Sequence, residues 1–189
     1  MRGEETQFAG ALALRPELAA GARLVLPGTH SKWARIAAGG IESFTTYMTG
    51  ELFAVLKNHS ILGRLTDPAP GHGGDAAFLR GVDAARGADG IAPLLFSARA
   101  LALTGGIAAA DALDYLSGLL IGDELRSALT EPGEAPLLIG EPALCARYAR
   151  ALASFGLDAV EAIPDAAVAG LWRVATAAGI VEPTKAEAP

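Results

Sequence analysis

Cysteine is nearly missing from this 189-residue chain, which holds only Cys145. No intrachain disulfide can form, in keeping with a reducing compartment. None of His30, His59 or His72 lies near Cys145 in sequence, so a small core residue on a helix is its expected role rather than a nucleophile. These dispersed histidines also exclude a zinc-ligand spacing, and no residue is assigned as a metal ligand. Clustered positive charge is lacking too. The formal net charge is −6, with six Lys/Arg against five Asp/Glu in residues 1–60 and nine against sixteen in residues 61–189. An anionic ligand is least repelled by the first section, and no basic stripe exists for a nucleic-acid backbone. Uninterrupted apolar runs are absent as well. The most apolar stretch, residues 91–113, is broken by Pro93, Arg99, Gly105, Gly106 and Asp111, so it reads as buried helix and not as a membrane span. Glu4 and Glu5 stand where a secretory signal needs basic and then apolar residues, which makes the cytoplasm the expected location.

What is present is the composition of a folded protein, 51% hydrophobic and 19% charged, which excludes a disordered polyelectrolyte. The length suits one compact domain with a real core. Three short β-prone runs, Arg23-Leu24-Val25-Leu26, Trp33-Ala34-Arg35-Ile36 and Ile41-Glu42-Ser43-Phe44-Thr45, are separated by Gly28 with its polar neighbours and by Gly39-Gly40. That spacing predicts an antiparallel meander. Thr49 then offers an N-cap for a helix through Asn58. Residues 66–74, rich in proline and glycine, predict a loop and the best candidate for a mobile segment. Residues 75–129 predict three helical pieces, broken near 87–90 and 105–106; the last is apolar on more than one face and should lie buried against a sheet. Pro136-Leu137-Leu138-Ile139-Gly140 reads as a buried strand, followed by a helix from Pro142 with Leu144, Tyr148, Leu152 and Phe155 on one face. Residues 158–163 and 165–178 repeat strand and helix, which implies a parallel section of sheet.

Four blocks follow one another along this frame. They are Met1-Arg2-Gly3-Glu4-Glu5-Thr6-Gln7, Leu26-Pro27-Gly28-Thr29-His30-Ser31-Lys32-Trp33, Thr45-Thr46-Tyr47-Met48-Thr49-Gly50-Glu51-Leu52-Phe53, and Tyr115-Leu116-Ser117-Gly118-Leu119-Leu120-Ile121-Gly122. Together they resemble the 2-dehydro-3-deoxygalactonokinase family, sugar-acid kinases of the actin/hexokinase-like ATPase superfamily, over residues 1 to about 178. The resemblance implies an α/β fold, an actin-like (ribonuclease H-like) ATPase domain whose mixed sheet has a three-strand meander followed by strand-helix units. It also implies one carboxy-terminal kinase lobe over residues 1–180 with a helical insertion at about 66–130, a frayed tail at 181–189, and an amino-terminal lobe, with its Asp-Trp-Gly phosphate loop, that nothing here matches. The chain is accordingly expected to be a truncated form.

The function so implied is ATP-dependent phosphorylation of 2-dehydro-3-deoxy-galactonate at its terminal hydroxyl, with ATP and Mg²⁺ as cofactors. Such chemistry needs a carboxylate to take the hydroxyl proton and donors around the phosphates. The opening block is similar to the Gly-Asp-Gln motif of glycerol-kinase-like enzymes, which makes Glu4 the first choice for the base and Glu5 the second. Read from the residues alone, two acids here merely favour the helix N-terminus they precede. Arg2 either pairs a substrate carboxylate or neutralises Glu4. Gly28, Thr29, His30, Ser31 and Lys32 form a turn with donors and charge suited to phosphate oxygens, and resemble the second phosphate loop of the superfamily; taken singly they are a polar hairpin tip. Gly140, at the carboxyl end of an inferred parallel strand, is where open α/β sheets bind ligands, and the resemblance suggests the adenosine contact there. Glu51 is explained by the dipole of its helix. The run Gly71-His72-Gly73-Gly74-Asp75-Ala76 fits a loosened dinucleotide fingerprint, but Asp67-Pro68-Ala69-Pro70 before it is no strand. Sugar acid and ATP are the expected partners, with self-association through a face the missing lobe leaves bare. The alternative from a different class is a non-catalytic relic or binding domain of the same fold.

Overall fold

The computed structural model describes residues 1, 3–65, 74–130, 135–158 and 160–182. Arg2, residues 66–73 of the expected loop with most of the glycine fingerprint, and the tail beyond residue 182 lie outside the described residues.

The opening block forms helix α1 (Glu4–Leu14), and a short 3-10 turn (Pro16–Ala20) leads into the sheet. Strands β1 (Ala22–Leu26), β2 (Ser31–Ala37) and β3 (Gly40–Tyr47) make the expected antiparallel meander. The turn between β2 and β3 pairs Ala37 with Gly40 and places Ala38 and Gly39 at φ 49 and 76. Two successive left-handed residues match the twist of a two-residue hairpin. Helix α2 (Thr49–His59) follows, then α3 (Gly74–Arg86), the short α4 (Ala92–Leu95) and α5 (Ser97–Leu103), and the long α6 (Ala112–Ala128). Strand β4 (Leu137–Leu138), α7 (Pro142–Ala153) and α8 (Ala166–Ala177) complete the described elements.

The sheet order is β3-β2-β1-β4, with β4 parallel to β1, so the sheet is mixed. Residues 158–163 were expected to form a further strand, and the structure reduces it to one parallel bridge, Leu138 to Ala162. The Leu138 N–H donates to Glu161 O and the Ile163 N–H to Leu138 O, each at 2.8 Å. An acidic start and Pro164 after Ile163 leave room for that much ladder and little more.

Alternation along the strands sorts the core into two layers. Val25, Trp33 and Leu138 face Phe78, Val82, Ile121, Leu125, Tyr148 and Leu152 of α3, α6 and α7. Leu24, Leu26, Ala34, Ile36 and Ile139 face Phe8 and Ala11 of α1 together with Leu18, Ile163 and Ala166. Helix α6 is buried as its apolar pattern requires. Its glycines, however, meet α3 and not the sheet, since a methyl on Gly118 would fall 2.0 Å from Phe78 O. On the other layer α1 crosses α8 at backbone contact. A methyl on Gly10 would sit 1.7 Å from Ala166 O, so α8 fixes the helix that carries the opening block.

Candidate active site

Ser31 and Lys32 are neighbours on a strand, so their side chains leave β2 on opposite faces. Lys32 turns toward α1, where its Nζ lies 3.1 Å from Glu4 Oε1 and donates to His30 O at 2.9 Å. It is 5% exposed. Lys32 is thus not spread into the open side of the loop; it ties the first residue of α1 to the loop's base. Glu4 borders a cavity of about 340 Å³ that Gln7, Thr29, His30, Gly140 and Glu141 also line. Glu5 is directed elsewhere, exposed and accepting the Gly3 N–H at 2.7 Å. The structure therefore separates the two acids: Glu5 serves the helix entrance, and Glu4 reaches the cavity.

The loop residues are divided in the same way. Gly28 and Thr29 line the cavity through the turn itself, and His30 is hydrogen-bonded to Glu51 of α2. The Glu51 N–H donates to Thr29 O at 3.0 Å. A methyl on Gly50 would meet Gly28 O at 2.6 Å, so the first turn of α2 rests on the loop. Ser31 departs from the expected donor set, because its side chain is fully buried on the other face of β2 and lies 2.9 Å from the Tyr148 hydroxyl. Its hydroxyl is committed to the core. Thr49 departs from its expected N-cap role: Met48 holds that position, and the Thr49 hydroxyl is buried and donates to Glu124.

Gly140 sits at the carboxyl end of β4 with φ 148, a conformation that favours glycine. The next residue, Glu141, caps α7 by accepting the Ala143 and Leu144 N–H groups at 3.0 and 2.8 Å. Those two bonds hold its carboxyl below the ordinary carboxylate range. The N-terminus of α7 therefore carries its own anion, which leaves the Gly140 backbone as the part of this turn open to a ligand.

A second, larger cleft of about 680 Å³ adjoins the first, and both share Pro27, Gly28, Thr29 and Glu141. Thr49, Phe53, Lys57, Asp114, Arg147 and Tyr148 are among its walls. Arg147 donates to Asp114 Oδ1 at 2.8 Å and stacks its guanidinium 4.1 Å from the centre of the Phe78 ring. Its size falls in the usual range of small-molecule sites, roughly 300–1,000 Å³. Sequence reasoning missed this cleft. Leu144 and Tyr148 were legible as one helix face, but nothing local joins Asp114 to Arg147 across 33 residues.

Beneath the loop lies a buried carboxyl, Glu124, 2% exposed. Trp33 Nε1–H donates to its Oε1 at 2.7 Å, and the Tyr148 hydroxyl donates to its Oε2 at 2.8 Å. Burial raises the Glu124 carboxyl above the ordinary value, opposed by its hydrogen bonds from Thr49, Trp33 and Tyr148. Burial, aided by the Glu124 charge, also holds the Tyr148 phenol well above its ordinary value. Cys145 is buried nearby and burial raises its thiol, in line with the core role expected of it. Among the described residues no group of three His, Cys, Asp or Glu is placed to hold a metal ion, and no helix is long and apolar enough to cross a membrane.

Known proteins are similar to this chain in sequence and in fold. A family model described as 2-keto-3-deoxy-galactonokinase matches residues 1–174. A probable 2-dehydro-3-deoxygalactonokinase of Rhizobium meliloti (strain 1021) is 46% identical over 183 residues, covering 94% of this chain and 59% of the relative. The 2-dehydro-3-deoxygalactonokinase of Escherichia coli (strain K12) is 37% identical over 180 residues, covering 94% and 60%. A crystal structure assigned to a 2-dehydro-3-deoxygalactonokinase from Sinorhizobium meliloti superposes with a TM-score of 0.86 at 42% identity, over 96% of this chain and 61% of that one. The chain thus spans about 60% of the length of the relatives it matches. With the family model covering nearly all of it, the chain belongs to the 2-keto-3-deoxy-galactonokinase family.

Proposed function

We propose that this chain supplies the nucleotide-side lobe of a kinase that phosphorylates 2-dehydro-3-deoxy-galactonate at its terminal hydroxyl with ATP. The observation that carries the reading is convergence. Segments around Glu4, Gly28–Thr29 and Gly140, far apart in sequence, border one small cavity that opens beside a cleft large enough for a nucleoside. In this reading the cleft takes the adenosine, and the Gly28–Thr29 turn and the Gly140 backbone face the phosphates. Glu4 is the general base: its carboxylate accepts the hydroxyl proton as the oxygen attacks the γ-phosphorus and ADP leaves. Lys32 keeps that carboxylate aimed through its 3.1 Å pair. Arg2 is kept as a candidate for the substrate carboxylate. Mg²⁺ would enter on the phosphate oxygens, because the described residues offer no preformed cluster for it.

The finer fold assignment, an actin-like (ribonuclease H-like) ATPase lobe over residues 1–180 with residues 66–130 as its insertion, belongs to the same proposal, as does a cytoplasmic site. Self-association is proposed through α8, whose Val168, Leu171 and Trp172 are exposed on one side. The second reading is a domain of the same fold that binds nucleotide without completing the reaction. The test is an ATP titration of the chain followed by amide NMR, together with coupled ADP release after the chain is extended to the relatives' length. Shifts at Gly28, Thr29 and Gly140 with substrate-dependent ADP release are expected. Binding without ADP release would leave the second reading, and no binding would remove both.

A further inference from the structure

Glu124 has no part in the chemistry above, yet two of its partners, Thr49 and Tyr148, are walls of the larger cleft. Its Oε1 takes the Trp33 indole N–H at 2.7 Å, and its Oε2 takes the hydroxyls of Tyr148, at 2.8 Å, and of Thr49. Since the Tyr148 proton is directed to Glu124, the Ser31 hydroxyl is the donor in its 2.9 Å bond to Tyr148. One carboxyl on α6 thereby holds β2, the start of α2 and α7. Each held residue stands next to a ligand-lining segment: Ser31 follows the Gly28–Thr29 turn, Thr49 precedes Gly50, and Tyr148 lies beside Arg147. The Glu51 N–H on Thr29 O and the close fit of Gly50 against Gly28 make the turn and α2 move as one body.

A group that only filled the core would not need a charge. Burying a carboxyl is costly unless hydrogen bonds offset its lost hydration, and at Glu124 those bonds come from Trp33, Thr49 and Tyr148 on three other elements. We propose that Glu124 is the positioning residue of the nucleotide-side loop, fixing the Gly28–Thr29 turn and the first turn of α2 against α6 and α7. The proposal rests on the nucleotide reading for its consequence, and on the hydrogen-bond network for its geometry.

The test compares Glu124→Met and Glu124→Gln in the 189-residue chain by thermal unfolding, amide and indole NMR, and ATP titration. Glu124→Met should remain folded while the Trp33 indole signal and the Gly28, Thr29 and Gly50 amides shift or broaden. ATP should bind at least about tenfold more weakly, as expected when a contact surface is misplaced by about an ångström. Glu124→Gln should restore both, because its amide oxygen accepts from Trp33 and the Thr49 and Tyr148 hydroxyls can reverse to accept from its NH₂. If Glu124→Met does not fold, Thr49→Val cuts the α2 arm alone and must still move the Gly50 and Thr29 amides. A folded Glu124→Met or Thr49→Val chain with those amides at their wild-type positions overturns the proposal. A wild-type chain that fails to bind ATP overturns the nucleotide reading instead, and the amide positions still decide the role of Glu124.

Discussion

The two faces of β2 hold two glutamates in opposite circumstances. On the α1 face Glu4 pairs with a cation, Lys32, at the edge of a cavity; on the α6 and α7 face Glu124 meets only neutral donors in a closed core. A carboxylate beside a cavity and a fixed ammonium can receive a proton from a bound molecule. One surrounded by Trp33, Thr49 and Tyr148 can only hold what surrounds it. The comparison teaches that an acid's role here follows from its access and partners, and that one strand serves both by alternation.

The largest effect expected from this contrast is on turnover. In the chain extended to the relatives' length, Glu4→Gln keeps shape and hydrogen bonding but removes the proton acceptor. Turnover should fall by roughly 10²–10⁴ with ATP affinity little changed, measured by coupled ADP release and calorimetry. Glu5→Gln should cost far less, since its carboxylate caps Gly3. If Glu5→Gln is the inactive variant, the assignment of the two acids is reversed.

Lys32→Ala comes next and sharpens the α1 face. Because Lys32 is buried and paired with Glu4 rather than directed to the loop's open side, its loss should mimic loss of Glu4 in turnover. It should also lower stability by about 2 kcal/mol, the scale of a charge-assisted hydrogen bond, read by denaturant unfolding. A pure loss of nucleotide affinity with normal turnover would instead return Lys32 to the phosphate loop.

The α6 face makes a smaller, pH-dependent prediction. Burial raises the Glu124 carboxyl, so between the ordinary glutamate value and its raised value the folded chain binds more protons than the unfolded one. Stability from this group is fully present below the ordinary value and is lost as pH rises through the raised one. Melting curves of the wild type relative to Glu124→Gln should therefore show an advantage that declines with rising pH, and a flat difference would contradict it. The smallest expected effect is on association: Leu171→Glu on the exposed side of α8 should reduce concentration-dependent light scattering without moving the melting temperature.

Much of the frame was legible beforehand. The meander, the helix after it, the helical region and the strand before Pro142 follow from alternation, glycine turns and helical spacing, which are local signals. The strand at residues 158–163 was over-read, because apolar composition cannot tell a full ladder from one bridge. Glu4, Gly28, Thr29 and Gly140, singled out by motif resemblance, line one cavity. Ser31 and Lys32 read as turn residues in the sequence, whereas the strand begins at Ser31 and its alternation sends the two side chains to opposite faces.

By itself, then, the sequence determined the meander and most of the helices, which depend on neighbours within a few residues, and, through blocks spread along the chain, the family and a short list of polar residues from which a site could be drawn. Only the tertiary structure decided that Glu4 and not Glu5 reaches the cavity, that Glu141 closes the end of α7, that Asp114 meets Arg147 in a second cleft, and that Glu124 joins three elements beneath the loop. Each is a contact between distant segments, and it exists because burying α1 and α6 on opposite faces of one sheet brings those segments together.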